Sequence, residues 1–400
     1  MNDQSTRVCP YPFGPAEALD LHPRYAHLRS HEPISRVLLP FGGPAWLVTR
    51  YEDVRLVLGD PRFSRAAAVG RDVPRTRPAR PRATSIIAMD PPEHTRVRRL
   101  IAKAFTVRKA ERWRAHTTEI AEGLARGMAD RGSPGDLVGD FAVPLPMEVL
   151  LAVMGIAHED RAALAAAAGV LVSATAHTEA ENHQARKDLA GLITAEIRRR
   201  RSHRADDLLG DLVAARDSEG GLSEPELIDL AVTLLAVGWE TTACEIANFT
   251  YTLLTHPHLL DGLRGSRSRI EAAVEELLRY VPLSTAAELA RIATEDTEVA
   301  GTLIRRGEAV LLAMHSANRD SRAFARPEDV DFTPRGTRHL AFGHGPHRCV
   351  GAELARMELQ VALGTLLARF PGLALAVPAR DVPWRAGSTL RAPSSLLVRW

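Results

Sequence analysis

The sequence predicts a mainly α-helical protein with small β-sheets, on three observations. Aromatic side chains make up only 5% of the chain, whereas alanine, leucine and arginine recur at helical spacing over long stretches. The strand-like runs are short and bounded by glycine or proline, as in GGPAWLVTR and AGTLIRRGEAVLL. The 400 residues exceed the usual size of one core, but no linker or internal repeat divides them. One elaborated domain over residues 1–400 is therefore expected, with about ten flexible N-terminal residues.

In chain order, strands are expected at 35–39 and 46–48, helices at 94–105, 109–131 and 181–201, and a helix at 224–255. That last stretch carries apolar side chains nearly all round, which predicts a helix buried through the molecular centre. A helix at 268–280 follows, then strands at 298–304 and 309–312, a helix from after Gly351 to residue 370, and a strand at 396–400. Between the early strands and the first long helix, RDVPRTRPARPRATS sets Arg71, Arg75, Arg77, Arg80 and Arg82 among prolines. It reads as a long irregular loop, either solvated or acting as a lid that meets an anionic substrate or carrier.

With 51 Lys+Arg against 49 Asp+Glu, the net charge of +2 gives no field suited to tracking nucleic acid. Cys9, Cys244 and Cys349 are odd in number and far apart, which argues against a disulfide framework and fits a reducing compartment. The N-terminal segment has no apolar signal core, and no window reads as a bilayer span. A cytoplasmic protein without membrane contact is expected.

The segment HLAFGHGPHRCVGAELARMEL carries most of the chemistry. Gly343, Gly345 and Gly351 permit tight turns and the close approach of backbone to a flat partner. A Cys349 thiolate just ahead of a helix would be stabilised by free N–H groups and the positive end of the helix dipole, an effect weakened by Glu353. His339, His344, His347 and Cys349 could by residue type bind zinc, but the paired ligand spacings of a closed zinc site are missing. An inert buried cysteine in a glycine-rich loop is the other alternative.

Phe342, Gly343, Gly345, His347, Cys349 and Gly351 together resemble, without a mismatch, the heme-binding signature FxxGxxxCxG of the cytochrome P-450 family. The resemblance implies Cys349 as the axial ligand of heme iron, with Phe342 packed beside the thiolate. A thiolate donates electron density through iron and favours O–O cleavage. Without a CxxCH motif the heme would be heme b, held non-covalently. The resemblance runs from about residue 10 to 400 and implies the family's fold, with a long central helix over the heme and the cysteine loop beneath it.

Further motifs arrive in the family's order. Glu276 and Arg279 in EAAVEELLRYVP match the structural ExxR pair, on one face of a helix. The third polar partner usual in the family is not identifiable, because PEDVDF places Asp329 where an arginine is common. LLAVGWETTACE resembles the oxygen-binding stretch, matching at Gly238, Glu240, Thr241 and Thr242 and departing at Val237 and Trp239. Thr241 is implied to hold bound oxygen and its water, and Glu240 to relay protons. His94 and Arg98 in MDPPEHTRVRRLIAKAF, with Arg291 and His347, are implied to meet the two heme propionates.

The resemblance is to soluble actinobacterial heme-thiolate monooxygenases that tailor secondary metabolites. It implies oxygenation of a bulky, mostly apolar small molecule, free or carrier-bound, using O2. No dinucleotide fingerprint or added cluster motif is present, so electrons from NAD(P)H would arrive through a separate ferredoxin and ferredoxin reductase. Arg99, Lys103, Arg108, Lys109, Arg112 and Arg348 are candidates for docking an acidic ferredoxin. Substrate contacts are expected at Val237, Leu283, Ala286, Ala287, Leu289 and Thr389, with Glu288 or the loop arginines as polar partners. Peroxide-driven oxidation or oxidative coupling at the same heme is the alternative chemistry, and a non-catalytic heme sensor is a third.

Overall fold

The computed structural model describes every residue except 1–7, 15–16, 79, 157–160, 173–176, 204, 217–220, 264–266, 288 and 334–335. The chain falls into two compact units: Met1–Arg96, Ser284–Val330 and Arg335–Cys349 form the first, and Val97–Leu283, Asp331–Pro334 and Val350–Trp400 the second. The expectation of a flexible N-terminus lies, for residues 1–7, outside the described residues. Cys9–Pro10 instead form a strand, parallel to Val37 and Leu38.

The first unit is built on a six-stranded sheet in the order Cys9–Pro10, Ile34–Leu38, Pro44–Val48, Ala309–Leu312, Arg291–Ala293 and Phe63–Ser64. Its register explains its packing. Leu47 pairs with Leu311 and Val48 with Leu312, so successive side chains go to opposite faces. Leu47 and Leu311 join Tyr11, Leu28 and Val37 in one apolar cluster. Val48, Val310 and Leu312 join Val54, Val57 and Phe63 in another. The whole of Ala309–Leu312 is consequently buried, which is why it reads in sequence as an unbroken apolar run. The expected strand at 298–304 is a hairpin of Thr297–Val299 and Thr302–Ile304, turned by Ala300 and Gly301 at positive φ. Phe63–Ser64 and Arg291–Ala293 were not foreseen as strands, being too short to carry a periodic pattern.

The second unit is helical. Ala352–Arg369 lies against Val107–Arg131, Glu240–Thr255 and Arg267–Tyr280, and a small antiparallel sheet joins Ala374–Leu375, Leu397–Arg399 and Gly135–Asp136. The expected single helix over 224–255 is two helices, Glu224–Gly238 and Glu240–Thr255. It begins at a reciprocal capping box between Ser223 and Glu226. It breaks at Trp239, where φ is −110°. Two local causes coincide: Gly238 is a weak helix former, and the Thr241 hydroxyl donates to the Val237 carbonyl at 3.0 Å, offering that oxygen an alternative to the helical ladder. Contrary to the sequence reading, 224–255 is long and apolar enough to cross a bilayer, but 78% of its most apolar window is buried within the protein.

The ExxR pair is a buried, bidentate ion pair. Arg279 donates from Nε to Glu276 Oε2 at 2.8 Å and from Nη2 to Oε1 at 2.7 Å, and the Asp331 amide adds a third bond to Glu276 Oε1 at 3.0 Å. The polar partner that the sequence left unidentified thus includes a backbone N–H. Asp329 pairs instead with exposed Arg326, at 3.7 Å. Removing one member of a buried pair strands the other charge, so Glu276→Ala should lose about 3–5 kcal/mol of stability. Denaturant unfolding of the purified variant checks this, and a midpoint unchanged from the parent would refute it.

Candidate active site

In the first unit the cysteine loop is shaped by its own backbone. The Gly343 amide donates to the Leu340 carbonyl and the Cys349 amide to the Phe342 carbonyl, each at 2.8 Å, while Arg348 N–H closes a short turn onto Gly345 at 3.1 Å. Gly345 is required here: its φ is +69°, and a Cβ would lie 2.6 Å from the Leu58 carbonyl oxygen, at the end of the helix Tyr51–Gly59. Gly343 also sits at positive φ, +70°. Cys349 is exposed and forms no disulfide.

Beside this loop the same unit sets two arginines and an imidazole around one carboxylate, Asp90. Arg291 is buried and donates from Nη1 to the Phe63 carbonyl at 3.1 Å, yet its Nε and Nη2 are buried without a partner. Arg65 donates from Nη1 to the Ile87 carbonyl at 3.1 Å, and its Nε is likewise orphaned. His347 packs against His94 with ring centroids 4.2 Å apart, and its Nε2 has no partner. The nearby Asp90 carboxylate is already engaged by the Ser64 hydroxyl and by the amides of Arg65 and Ala66. Burial, then the charge of Arg291, pushes Arg65 down to about 9, and burial pushes Arg291 down to about 10. Burial, then Arg65, His94 and Arg291, drives His347 down to about 2. Such a cluster offers buried, unpartnered nitrogens and a residual positive charge to an anion.

Arg65 was missed in the sequence. Ser64 pairs with Ile292 in an antiparallel register, so the next residue, Arg65, is brought alongside Arg291. Only long-range pairing reveals that. Arg98 lies half-buried on the helix Glu93–Ala102, in the part that belongs to the second unit, as does Gly351.

In the second unit the site centres on the helix break. A Cβ on Gly238 would lie 3.2 Å from the Leu150 side chain. Val237 is 40% exposed. Glu240 is buried, with Oε1 accepting a hydrogen bond from Arg385 Nη1 at 2.6 Å and Oε2 left without a partner. Burial raises its carboxyl above the ordinary range, against the opposing pull of Arg385. Thr389 is buried, and Leu283 packs on the cluster of Cys244, Leu390 and Ala392. Of the substrate candidates in the first unit, Ala286 and Ala287 are core residues, Ala287 N–H donating to the Tyr11 hydroxyl. Leu289 is 47% exposed and at positive φ. Glu288 lies outside the described residues. In the loop, Arg75 is tied down by Asp72 at 2.6 Å and by a bridge to Phe41.

The first unit thus holds a glycine-shaped cysteine loop beside buried arginines, and the second an acid and an alcohol at a helix break, features that suit a heme-binding oxidoreductase. The comparisons with known proteins agree. The family model of cytochrome P-450 matches residues 267–381. The nocardicin C N-oxygenase of Nocardia uniformis subsp. tsuyamanensis is 48% identical, covering 98% of both chains. The mycinamicin IV hydroxylase/epoxidase of Micromonospora griseorubida is 45% identical, again over 98% of each. Among solved structures, HinD with NMFT and NO superposes with a TM-score of 0.94 at 47% identity, covering 98% of this chain and 99% of that one. A cytochrome P-450 with biaryl coupling reactivity also reaches 0.94, at 42% identity over 98% of this chain and all of that one. The chain belongs to the cytochrome P-450 family, and it is an oxidoreductase of the monooxygenase type that uses heme and O2.

Heme carries two carboxylates, and the orphaned nitrogens of Arg65, Arg291 and His347 are chemically suited to them. Arg65→Met and Arg291→Met should each speed the transfer of heme to excess apomyoglobin while leaving the heme-free chain no less stable, because an unpaired buried charge is removed. Unchanged transfer rates in both variants would refute this assignment.

Proposed function

We propose that the protein inserts one oxygen atom from O2 into a bulky, mostly apolar natural-product intermediate, by hydroxylation or epoxidation. The observation that carries the reading is the acid–alcohol pair, Glu240 and Thr241, at the break between two apolar helices. Heme held by a cysteine thiolate, once reduced, supplies O2 activation. Cys349 would hold the heme iron through its thiolate, with Phe342, Gly343 and Gly351 shaping the loop and Gly238 keeping the helix slim. Arg65, Arg291, His347 and His94 would hold the propionates, a role assigned also to Arg98.

The protein's own part is proton handling and placement. Glu240 has one oxygen fixed and one free, so it can accept a proton from water and pass it on without reorienting. Thr241, whose hydroxyl bonds a helix carbonyl, can rotate to donate elsewhere. Val237, Leu283, Leu289 and Thr389 are taken as substrate contacts, whereas Ala286 and Ala287 belong to the core of the first unit. The relatives named above as an N-oxygenase and a hydroxylase/epoxidase support oxygen transfer.

Electrons are assigned to NAD(P)H through a ferredoxin reductase and a ferredoxin. Arg99, Lys103, Arg108 and Arg112 are exposed on the second unit and Arg348 on the first, which suits an acidic partner. Lys109 is the weakest of the set, because Asp211 engages it at 3.1 Å. Oxidative coupling is a second reading, favoured by the likeness to the cytochrome P-450 with biaryl coupling reactivity. Product formed with hydrogen peroxide alone, without ferredoxin, would favour it.

Two variants test the assignment. Cys349→His should abolish the red-shifted carbon monoxide band of the reduced protein, and its persistence would refute ligation by Cys349. Thr241→Ala should keep consuming NAD(P)H while product falls about tenfold or more and hydrogen peroxide rises. Coupling equal to the parent would remove Thr241 from proton delivery.

A further inference from the structure

The geometry points to Arg385 as the positioning residue of Glu240: its guanidinium fixes one carboxylate oxygen and leaves the other available for proton transfer. This rests on the proposed relay role of Glu240.

Arg385 does not arrive by chance. Residues 383–385 and 392–394 form a narrow hairpin, in which the Arg385 amide donates to the Ala392 carbonyl at 3.0 Å and the Ser394 amide to the Pro383 carbonyl at 2.9 Å. Trp384 bridges to Pro393 in the same ladder. The hairpin is docked onto the helix Glu240–Thr255 at three levels. Trp384 meets Tyr251 edge-on at 5.2 Å, Asn248 Nδ2 donates to the Arg391 carbonyl at 2.8 Å, and Leu390 and Ala392 pack on Cys244. Held at those points, the stem delivers the Arg385 side chain to the first residue of the helix. The turn of the same hairpin carries Thr389.

The surroundings leave Arg385 to Glu240. The Cys244 thiol is pushed up to about 12 by burial, and burial raises the Glu245 carboxyl well above its ordinary range, so burial disfavours a charge on either group that would compete for the guanidinium. Glu240 is 4% exposed. With desolvation favouring its neutral form, Arg385 is the opposing influence. A neutral Glu240 would lose its ion pair and with it the fixed orientation of the free oxygen.

The test uses the heme-loaded enzyme. The infrared carbonyl stretch of protonated Glu240, isolated by subtracting the spectrum of Glu240→Gln, is followed against pH. In Arg385→Leu its midpoint should rise by about one pH unit or more, and in Arg385→Lys by less. A merely structural residue would not move it, and an unmoved midpoint in Arg385→Leu overturns the proposal. Heme content and thermal midpoint establish that each variant is folded, and Arg385→Lys carries the test should Arg385→Leu fail to fold. In parallel, NAD(P)H oxidation and hydrogen peroxide release are measured with a plant ferredoxin and its reductase, with no substrate added. Arg385→Leu and Glu240→Gln should each raise the peroxide share, and the double variant no further. If Glu240→Gln raises it and Arg385→Leu does not, Arg385 is not the positioning residue and the relay stands. If Glu240→Gln itself has no effect, the relay reading falls and this inference with it.

Discussion

Burying cations in excess of their counter-charge is among the most expensive things a fold can do, and the first unit does so with Arg65 and Arg291 beside the single charge of Asp90. Arg65 and Arg291 turn unpaired nitrogens inward beside the neutral His347, and the carboxylate of Asp90, which acts on both guanidiniums, has its hydrogen-bonding capacity taken by a hydroxyl and two amides. A chain selected for stability alone would replace such groups by packed apolar side chains. Much of the unit serves their placement. The pairing of Phe63–Ser64 with Arg291–Ala293 brings the two arginines side by side, the Phe63 carbonyl holds one guanidinium, and Gly345 lets the cysteine loop sit against the Leu58 carbonyl. A bound anion would offset the remaining cost, and cofactor retention and fold stability would then be thermodynamically linked.

The second unit handles polarity differently. Its long apolar stretch is interrupted at one place, and chemistry is concentrated there: a glycine, a tryptophan off the helical ladder, a buried acid and a hydroxyl bonded back to a carbonyl. An uninterrupted helix would present the same residues with their backbone groups saturated. The break frees them, and packing on both sides keeps it local.

Local motifs were legible in the sequence, and features that depend on register or tertiary delivery were not. The cysteine loop, the ExxR pair and the acid–alcohol triplet each lie within a dozen residues, where the identity of each side chain and its spacing determine the chemistry. The helix over 224–255 was recognised from its apolar surface, but its break was not, because Trp239 is a tolerable helix residue and only the Thr241–Val237 bond discloses the competition. Arg65 could not be found, since its meaning arises from a strand pairing more than two hundred residues distant in sequence. Arg385 sits in a hairpin that no periodicity announces. Asp331 contributes through its backbone, to which residue identity is blind.

The central claim is that the carboxylates of the cofactor answer the buried cations. Reconstituting the chain with iron protoporphyrin IX dimethyl ester, which keeps the ring and the iron but lacks ionisable carboxylates, tests it most directly. Heme loss to apomyoglobin should be much faster for the ester than for the free acid, and the gap should shrink in Arg65→Met and Arg291→Met. Equal retention of ester and acid by the unsubstituted chain would contradict the account.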